Sequence, residues 1–252
     1  FRLLKAYQKL KKFLLEEQID LINPHRSEGF PLFVFAARAS NTFLPVNQIP
    51  VIRTRGTTRT LLQNWLNRKI YTDWTEYYIT TGEIVAERLL NVVSISQEKL
   101  KTIYYPVDCP ELPTHPPIDY RNEFEIHQKA KVLAVVGRIR PVKGQRILLQ
   151  SLSQLVTEFS DLVLLMPYRD TLKNEPEMQA LQNDIRRLKL EEHVRLITER
   201  EDIRQLMEFA DAGVVSSVES EVICRVAVEF FSVATPVVAF PTGCLPEIVR
   251  HG

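Results

Sequence analysis

Two runs of alternating apolar strands and amphipathic helices, separated by a proline-rich stretch, constrain this chain more than any other feature. The second run is the clearer. It goes from "KVLAVVGRI" to "GQRILLQSLSQLVTEF", then "DLVLLMP", "EMQALQNDIRRLKL", "VRLIT", "EDIRQLMEFA", "AGVVSS", a helix from about 224, "TPVVAF" and "LPEIVR". Each short apolar run suits a strand buried on both faces, and each longer segment carries helical spacing. The first run is "IDLINPH", "PLFVFAARAS", "PVIRTRG", "LLQNWLNRKIYTDW", "YYITTG", "EIVAERLL" and "KLKTIYYPVD", after an amphipathic helix over 1–18. Between the runs, residues 106–119 hold five of the fifteen prolines, a composition for a stiff, extended connection.

Strands separated by helices imply parallel sheets covered on both faces. The expected fold class is therefore α/β, with two Rossmann-like doubly wound domains facing across a cleft. The boundaries read as a domain over 1–107, a Pro-rich linker over 108–129 and a domain over 130–252. The chain opens at Phe1 inside a helical pattern and stops at Gly252 just after one, so it reads as lacking segments at both ends. Hydrophobic residues make up 45% of the 252, enough for one large or two medium cores. A net charge of +1 with no long Lys/Arg block gives no reason to expect a nucleic-acid partner. No apolar run approaches the roughly 18–20 residues of a membrane-spanning helix. Cys109, Cys224 and Cys244 form no CxxC pair, which favours a reducing, cytoplasmic setting.

In such sheets ligands sit beyond the carboxyl ends of the strands, so the strand-to-helix loops carry the chemistry. Glu221 falls in the loop after "AGVVSS", and Glu229 about one turn into the helix that follows. Between them, the amides of Val222, Ile223 and Cys224 lie near a helix N-terminus, which favours an anion. A diphosphate resting there, with an acid on either side accepting from sugar hydroxyls, has the layout of a nucleotide-sugar. Taken alone, a helix-start acid and a solvated glutamate explain the pair equally well. The loop "VVGRIRPVKGQ" shifts the balance. Arg138 offers a planar fork for phosphate oxygens and Lys143 a mobile point charge. Cations at a helix start are mildly unfavourable without an anionic ligand.

With these pieces in place, the second half resembles the nucleotide-binding domain of retaining GT-B glycosyltransferases of family 4, the glycosyl transferases group 1 family. "VVGRIRPVKG", "VRLITEREDIRQLMEFADAGVVSS", "ESEVICRVAVE" and "TPVVAFPTGCLPEIVRHG" carry the resemblance over about 120 residues. It implies that Arg138 and Lys143 hold the donor diphosphate, that Glu229 binds the ribose and that Glu221 contacts the donor sugar near its anomeric carbon. The first half is similar to the acceptor domain of the lipopolysaccharide-core subset, through "DLINPHRSEG", "PVIRTRGTTRT" and "YYITTGEIVAERL". There His25 matches the acceptor-domain histidine beside the reacting carbon, and Arg26 stands next to it. Arg53 and Arg55 at a strand end suit an anionic acceptor group, although alternating arginines also describe a half-exposed edge.

The resemblance implies a hexosyl or heptosyl transfer to a glycan or lipid-linked acceptor, in lipopolysaccharide or cell-envelope synthesis, with no metal ion or cofactor. It departs from the family's pattern at "MPYRD" (166–170), where a glycine-rich turn is usual, and at Arg225, where glycine is more common. The family's N-terminal Gly-rich loop and C-terminal crossover helix are absent. Lys5, Lys9, Lys11 and Lys12 make helix 1–18 basic, which suits peripheral contact with an anionic membrane or a plain solvated face. Cys109, His115 and His127 lack metal spacing, and Trp65, Trp74, Tyr77 and Tyr78 suit the core. Two rivals stay open: an idle nucleotide-sugar-binding module, and a GT-B-type epimerase with Glu28 as its base.

Overall fold

The computed structural model describes residues 2–40, 49–59, 61–62, 64–112, 118–169, 175–219 and 221–251. The chain divides into two compact units, Phe1–Tyr104 and Tyr105–Gly252.

The first unit contains α1 (Arg2–Glu16), α2 (Phe30–Ser40), β1 (Ile52–Arg55), α3 (Trp65–Thr72), β2 (Tyr77–Thr80), α4 (Glu83–Val92) and β3 (Leu100–Thr102). The three strands form a parallel sheet in the order β1-β2-β3. "IDLINPH" contributes no full strand, only a parallel bridge from Ile22 to Val51. Asn23-Pro24 follows at once, and proline has no N–H to extend a ladder. Helix α3 starts later than the periodicity suggests, because Asn64 caps it and accepts from the Asn67 N–H at 2.8 Å. Its buried side chains are Ile70 and Tyr71. Trp65 lies about 120–140° around the helix from both at 100° per residue. It is 76% exposed, against the expectation of a core role. The core gathers Leu14, Phe30, Val34, Val51, Tyr71, Tyr78 and Leu89. Tyr78 faces inward and Tyr77 outward, as strand alternation requires.

The second unit contains α5 (Tyr120–Glu123), β4 (Lys131–Ala134), α6 (Gln145–Glu158), β5 (Leu162–Pro167), α7 (Pro176–Arg187) and β6 (Val194–Ile197). It continues with α8 (Ile203–Phe209), β7 (Ala212–Val215), α9 (Arg225–Ser232), β8 (Val237–Ala239) and α10 (Leu245–Ile248). All five strands are parallel, in the order β6-β5-β4-β7-β8. The direction of winding reverses between β4 and β7. Helices α6 and α7 bury Leu149, Leu152, Met178 and Leu181 on one face. On the other, α5, α8 and α9 bury Tyr120, Leu206, Met207 and Phe230. Strand β5 is buried along its whole length, as an apolar run between two helical layers must be.

Residues 120–129, which the sequence assigns to the end of a linker, pack into this second core through Tyr120 and Ile126, beside Ala130. Asp119 caps the single turn of α5, which is too short to show a period. On β7, Gly213 lies flat under α9: a Cβ there would meet the Phe230 ring at 2.6 Å. Among the described residues, no helix is long and apolar enough to cross a membrane.

Candidate functional site

The carboxyl ends of β4 and β7 lie side by side at the reversal of strand order, where a parallel sheet opens a crevice for a ligand. The loops leaving them, 135–144 and 216–224, are stitched together. "PVK" (141–143) forms a single 3-10 turn that ends on Gly144 at φ +67°. A Cβ at Gly144 would lie 2.0 Å from the Ser216 carbonyl oxygen, so only glycine allows this approach. Ser216 Oγ donates to the Lys143 carbonyl at 2.8 Å, and the Val218 N–H to the Val142 carbonyl at 3.0 Å. Buried Gln145 closes the first loop by donating from Nε2 to the Arg138 carbonyl at 2.9 Å.

Into this frame point two of the expected residues. Lys143 Nζ forms an ion pair with Glu221 Oε1, and Ser217 Oγ donates to the same oxygen at 2.5 Å. Glu221 is only 8% exposed, and its carboxylate is satisfied by a cation and a hydroxyl. The pair lines a small hollow of about 20 Å³. The Glu221 backbone is clamped from the next loop. Its carbonyl accepts the Cys244 N–H at 2.7 Å, and a Cβ at Gly243 (φ +61°) would lie 1.8 Å from that oxygen. Cys224 caps α9 in the left-handed region at φ 52°, with its Sγ 2.8 Å from Cys244 Sγ. The hydrogen bond with Cys244 and burial push the Cys224 thiol well up from its ordinary value. Val222 and Ile223, half-buried, lead into this cap, and Ser220 lies outside the described residues.

Arg138 and Glu229 sit apart from that pair. Arg138 is exposed and lines a neighbouring hollow of about 340 Å³ with Tyr168, Arg169, Glu199, Arg200 and Ile203. The loop 198–202 leaves the carboxyl end of β6. Arg200 of this loop is held by Asp202 at 2.7 Å and by Glu123, over the rings of Tyr120 and Phe124 at 5.5 and 5.4 Å. These partners raise the Arg200 pKa, and Arg200 in turn holds Asp202 below the usual carboxylate range. Nothing in the sequence marks Glu123, 77 residues away, as a partner. Glu229, one turn into α9, accepts from Arg225 Nε at 2.6 Å. Thus Arg225, standing where glycine was expected, holds the second glutamate, and that bond raises the Arg225 pKa. Its guanidinium also lies 5.5 Å above the Tyr105 ring.

In the first unit His25, Arg26 and Glu28 are exposed on the loop that follows Ile22. Arg53 and Arg55 are neither an exposed edge nor open to solvent: they lie on the buried face of β1, at 0% and 4% exposure. Arg53 Nη1 donates to the carbonyls of Pro24 and Arg26 at 2.6 and 2.8 Å, and Nη2 to Ser27 Oγ at 3.3 Å. It holds the His25 loop from beneath, with its cation 4.8 Å from the Phe30 ring centre. Arg55 Nη2 donates to the Arg59 carbonyl at 2.5 Å. Burial lowers both arginine pKa values and raises that of Tyr71 beside them. Among the described residues, no three His, Cys, Asp or Glu side chains gather as a metal would need, and His115 lies outside those residues.

Comparison with known proteins follows the same division. The family model described as glycosyl transferases group 1 matches residues 118–252. YtcC of Bacillus subtilis (strain 168), provisionally named a glycosyltransferase, is 26% identical over 185 residues, 68% of this chain and 44% of its own. The lipopolysaccharide 1,2-N-acetylglucosaminetransferase of Salmonella typhimurium is 30% identical over 142 residues, 55% of this chain and 37% of its own. The chain therefore spans less than half the length of these curated relatives. HepE of Anabaena, crystallised with UDP, is similar at a TM-score of 0.79 and 21% identity, over 99% of this chain and 65% of that one. That likeness shows the fold, the two Rossmann-like units of GT-B glycosyltransferases. Since the family model covers more than half of its residues, the chain belongs to the glycosyl transferases group 1 family.

Proposed function

We propose that the second unit binds a nucleoside-diphosphate sugar and that the protein transfers the sugar to a hydroxyl with retention at the anomeric carbon, as in family 4. The observation that carries this reading is the Lys143–Glu221 pair at the strand-order reversal, beside the N-terminus of α9. On a donor's arrival Lys143 exchanges its carboxylate partner for diphosphate oxygens. The α9 terminus adds its dipole and amides from Val222 to Cys224. Arg138 reaches the diphosphate from the rim, and the hollow beside Tyr168 and Arg200 takes the base. Glu221, released, accepts from the sugar, and Glu229, steadied by Arg225, accepts from the ribose. Fixed positive charge where the leaving diphosphate gains negative charge lowers the barrier without a protonating acid or a metal.

HepE was crystallised with UDP and with UDP-glucose, which supports a uridine donor here. The Salmonella relative supports an acceptor of the cell envelope. In the first unit His25 and Arg26 face the acceptor from a loop that Arg53 positions, and Arg55 stiffens the same strand end. The location fitting this chemistry is the cytoplasm, with the basic α1 resting on an anionic membrane.

A thermal-shift panel of UDP, GDP and ADP tests the donor reading. UDP at about 100 times its dissociation constant stabilises the protein by nearly 3 kcal/mol. The Lys143→Ala variant binds UDP about 100-fold more weakly, the equivalent of two charge-assisted hydrogen bonds. Equal UDP affinity in both proteins overturns the assignment.

A further inference from the structure

Cys224 occupies a position that its backbone disfavours. At φ 52° it caps α9 in the left-handed region, which glycine enters freely and a residue with a Cβ enters at a cost. Strain of this kind persists where the surroundings hold it, and it marks places where the side chain has a task. The side chain here meets a second thiol. Cys224 and Cys244 are 2% and 0% exposed, and their sulfurs stand 2.8 Å apart, 20 residues apart in sequence. Both residues also grip one carbonyl: Glu221 O accepts the Cys244 N–H at 2.7 Å and lies 3.6 Å from Cys224 Sγ.

We propose that Cys224 and Cys244 are a redox modification site, closing to a disulfide under a small two-electron oxidant such as hydrogen peroxide and thereby resetting the loop that holds Glu221. One thiol of the pair gives up its proton as its sulfur attacks a peroxide oxygen, the O–O bond breaks, and a sulfenic acid and water form. The second thiol gives up its proton as its sulfur attacks the sulfenic sulfur, whose hydroxyl leaves as a second water. Net, two thiols and one peroxide give one disulfide and two waters. The sulfurs must close from 2.8 Å to the bonded length of about 2.05 Å. That sub-ångström movement pulls the cap of α9 toward the cap of α10, with Glu221 between them. The chemical step stands on the cysteine geometry alone; its effect on ligand binding rests on the donor reading above.

The test uses a Cys109→Ser protein, which removes the exposed third thiol. After peroxide treatment of the folded protein, intact mass should fall by two hydrogens, and no thiol should titrate after denaturation. The melting temperature should rise by roughly 5–10 °C, since the bond closes a loop of about 20 residues, and dithiothreitol should reverse all three changes. UDP should bind the oxidised form about tenfold more weakly, because sub-ångström displacement of a preorganised site has effects of that order. Adding Cys244→Ser should abolish every response. Should that variant fail to fold, Cys224→Gly, which relieves the left-handed strain, serves instead. Two intact thiols after treatment, two sulfinic acids, or UDP affinity unmoved by disulfide formation each overturn the proposal. A disulfide in a protein that binds no UDP in either state upholds the cysteine chemistry and overturns the donor reading.

Discussion

The two units bury positive charge in opposite ways. Arg53 is wholly buried in the first, and its partners are main-chain carbonyls and a serine hydroxyl. Among the described residues no carboxylate pairs with it or with Arg55, and Arg53 Nε and Arg55 Nη1 lack hydrogen-bond partners. In the second unit, Lys143 keeps part of its side chain in solvent and meets the Glu221 carboxylate. A cation held by carbonyls of its own fold cannot leave them without undoing the loop they belong to. A cation held by a carboxylate can trade one anion for another. The first arrangement shapes a surface, and the second keeps a charge in reserve. On the donor reading proposed above, a ligand anion goes to Lys143, while Arg53 holds the loop that carries His25 and Arg26.

Substitutions can break or sharpen this contrast. The largest effect is expected at Arg53→Ala, which leaves the Pro24 and Arg26 carbonyls without a donor and opens a cavity on β1. Urea unfolding should register a loss of about 4 kcal/mol. A loss under about 1 kcal/mol would mean that the arginine is not what holds the loop. Glu221→Gln probes the other unit at a smaller scale, costing about 1–2 kcal/mol of stability by unpairing Lys143. Because the lysine is freed, UDP affinity by calorimetry should rise about threefold while donor turnover falls. Weaker UDP binding in this variant would show that the two charges act together on the ligand and not in exchange. The smallest effect is expected at Arg225→Ala. Its pair with Glu229 is exposed, so stability should change by less than about 0.5 kcal/mol. A change of several-fold in UDP affinity, with stability held, would place Glu229 at the ligand.

What the sequence disclosed follows from the range of its signals. The buried run of β5 and the long periods of α6 and α7 are local patterns, and they yield the parallel sheet with helices on both faces. Helix α5 is a single turn without a period, so proline content extended the linker over residues that in fact join a core. Alternation alone cannot tell a buried arginine from an exposed one, because the signal is the same and only the cover over the strand differs. The pairing of Lys143 with Glu221 joins positions 78 apart, and that of Cys224 with Cys244 depends on how β8 returns beside β7. The Arg225–Glu229 contact was legible as a helical i,i+4 pair. As a departure from the family's glycine, however, Arg225 carries no hint of that partner.

Gly213 sets one dimension of the whole arrangement. With no side chain at that position, the Phe230 ring rests directly on the β7 backbone, so the gap between helix and sheet is as thin as atoms allow. Helix α9 is thereby held close to the sheet at Phe230, five residues past its first residue, by a glycine three positions before the loop 216–224. Any wider residue at 213 would act as a shim under Phe230, lifting the helix from the sheet without touching a single group that could meet a ligand.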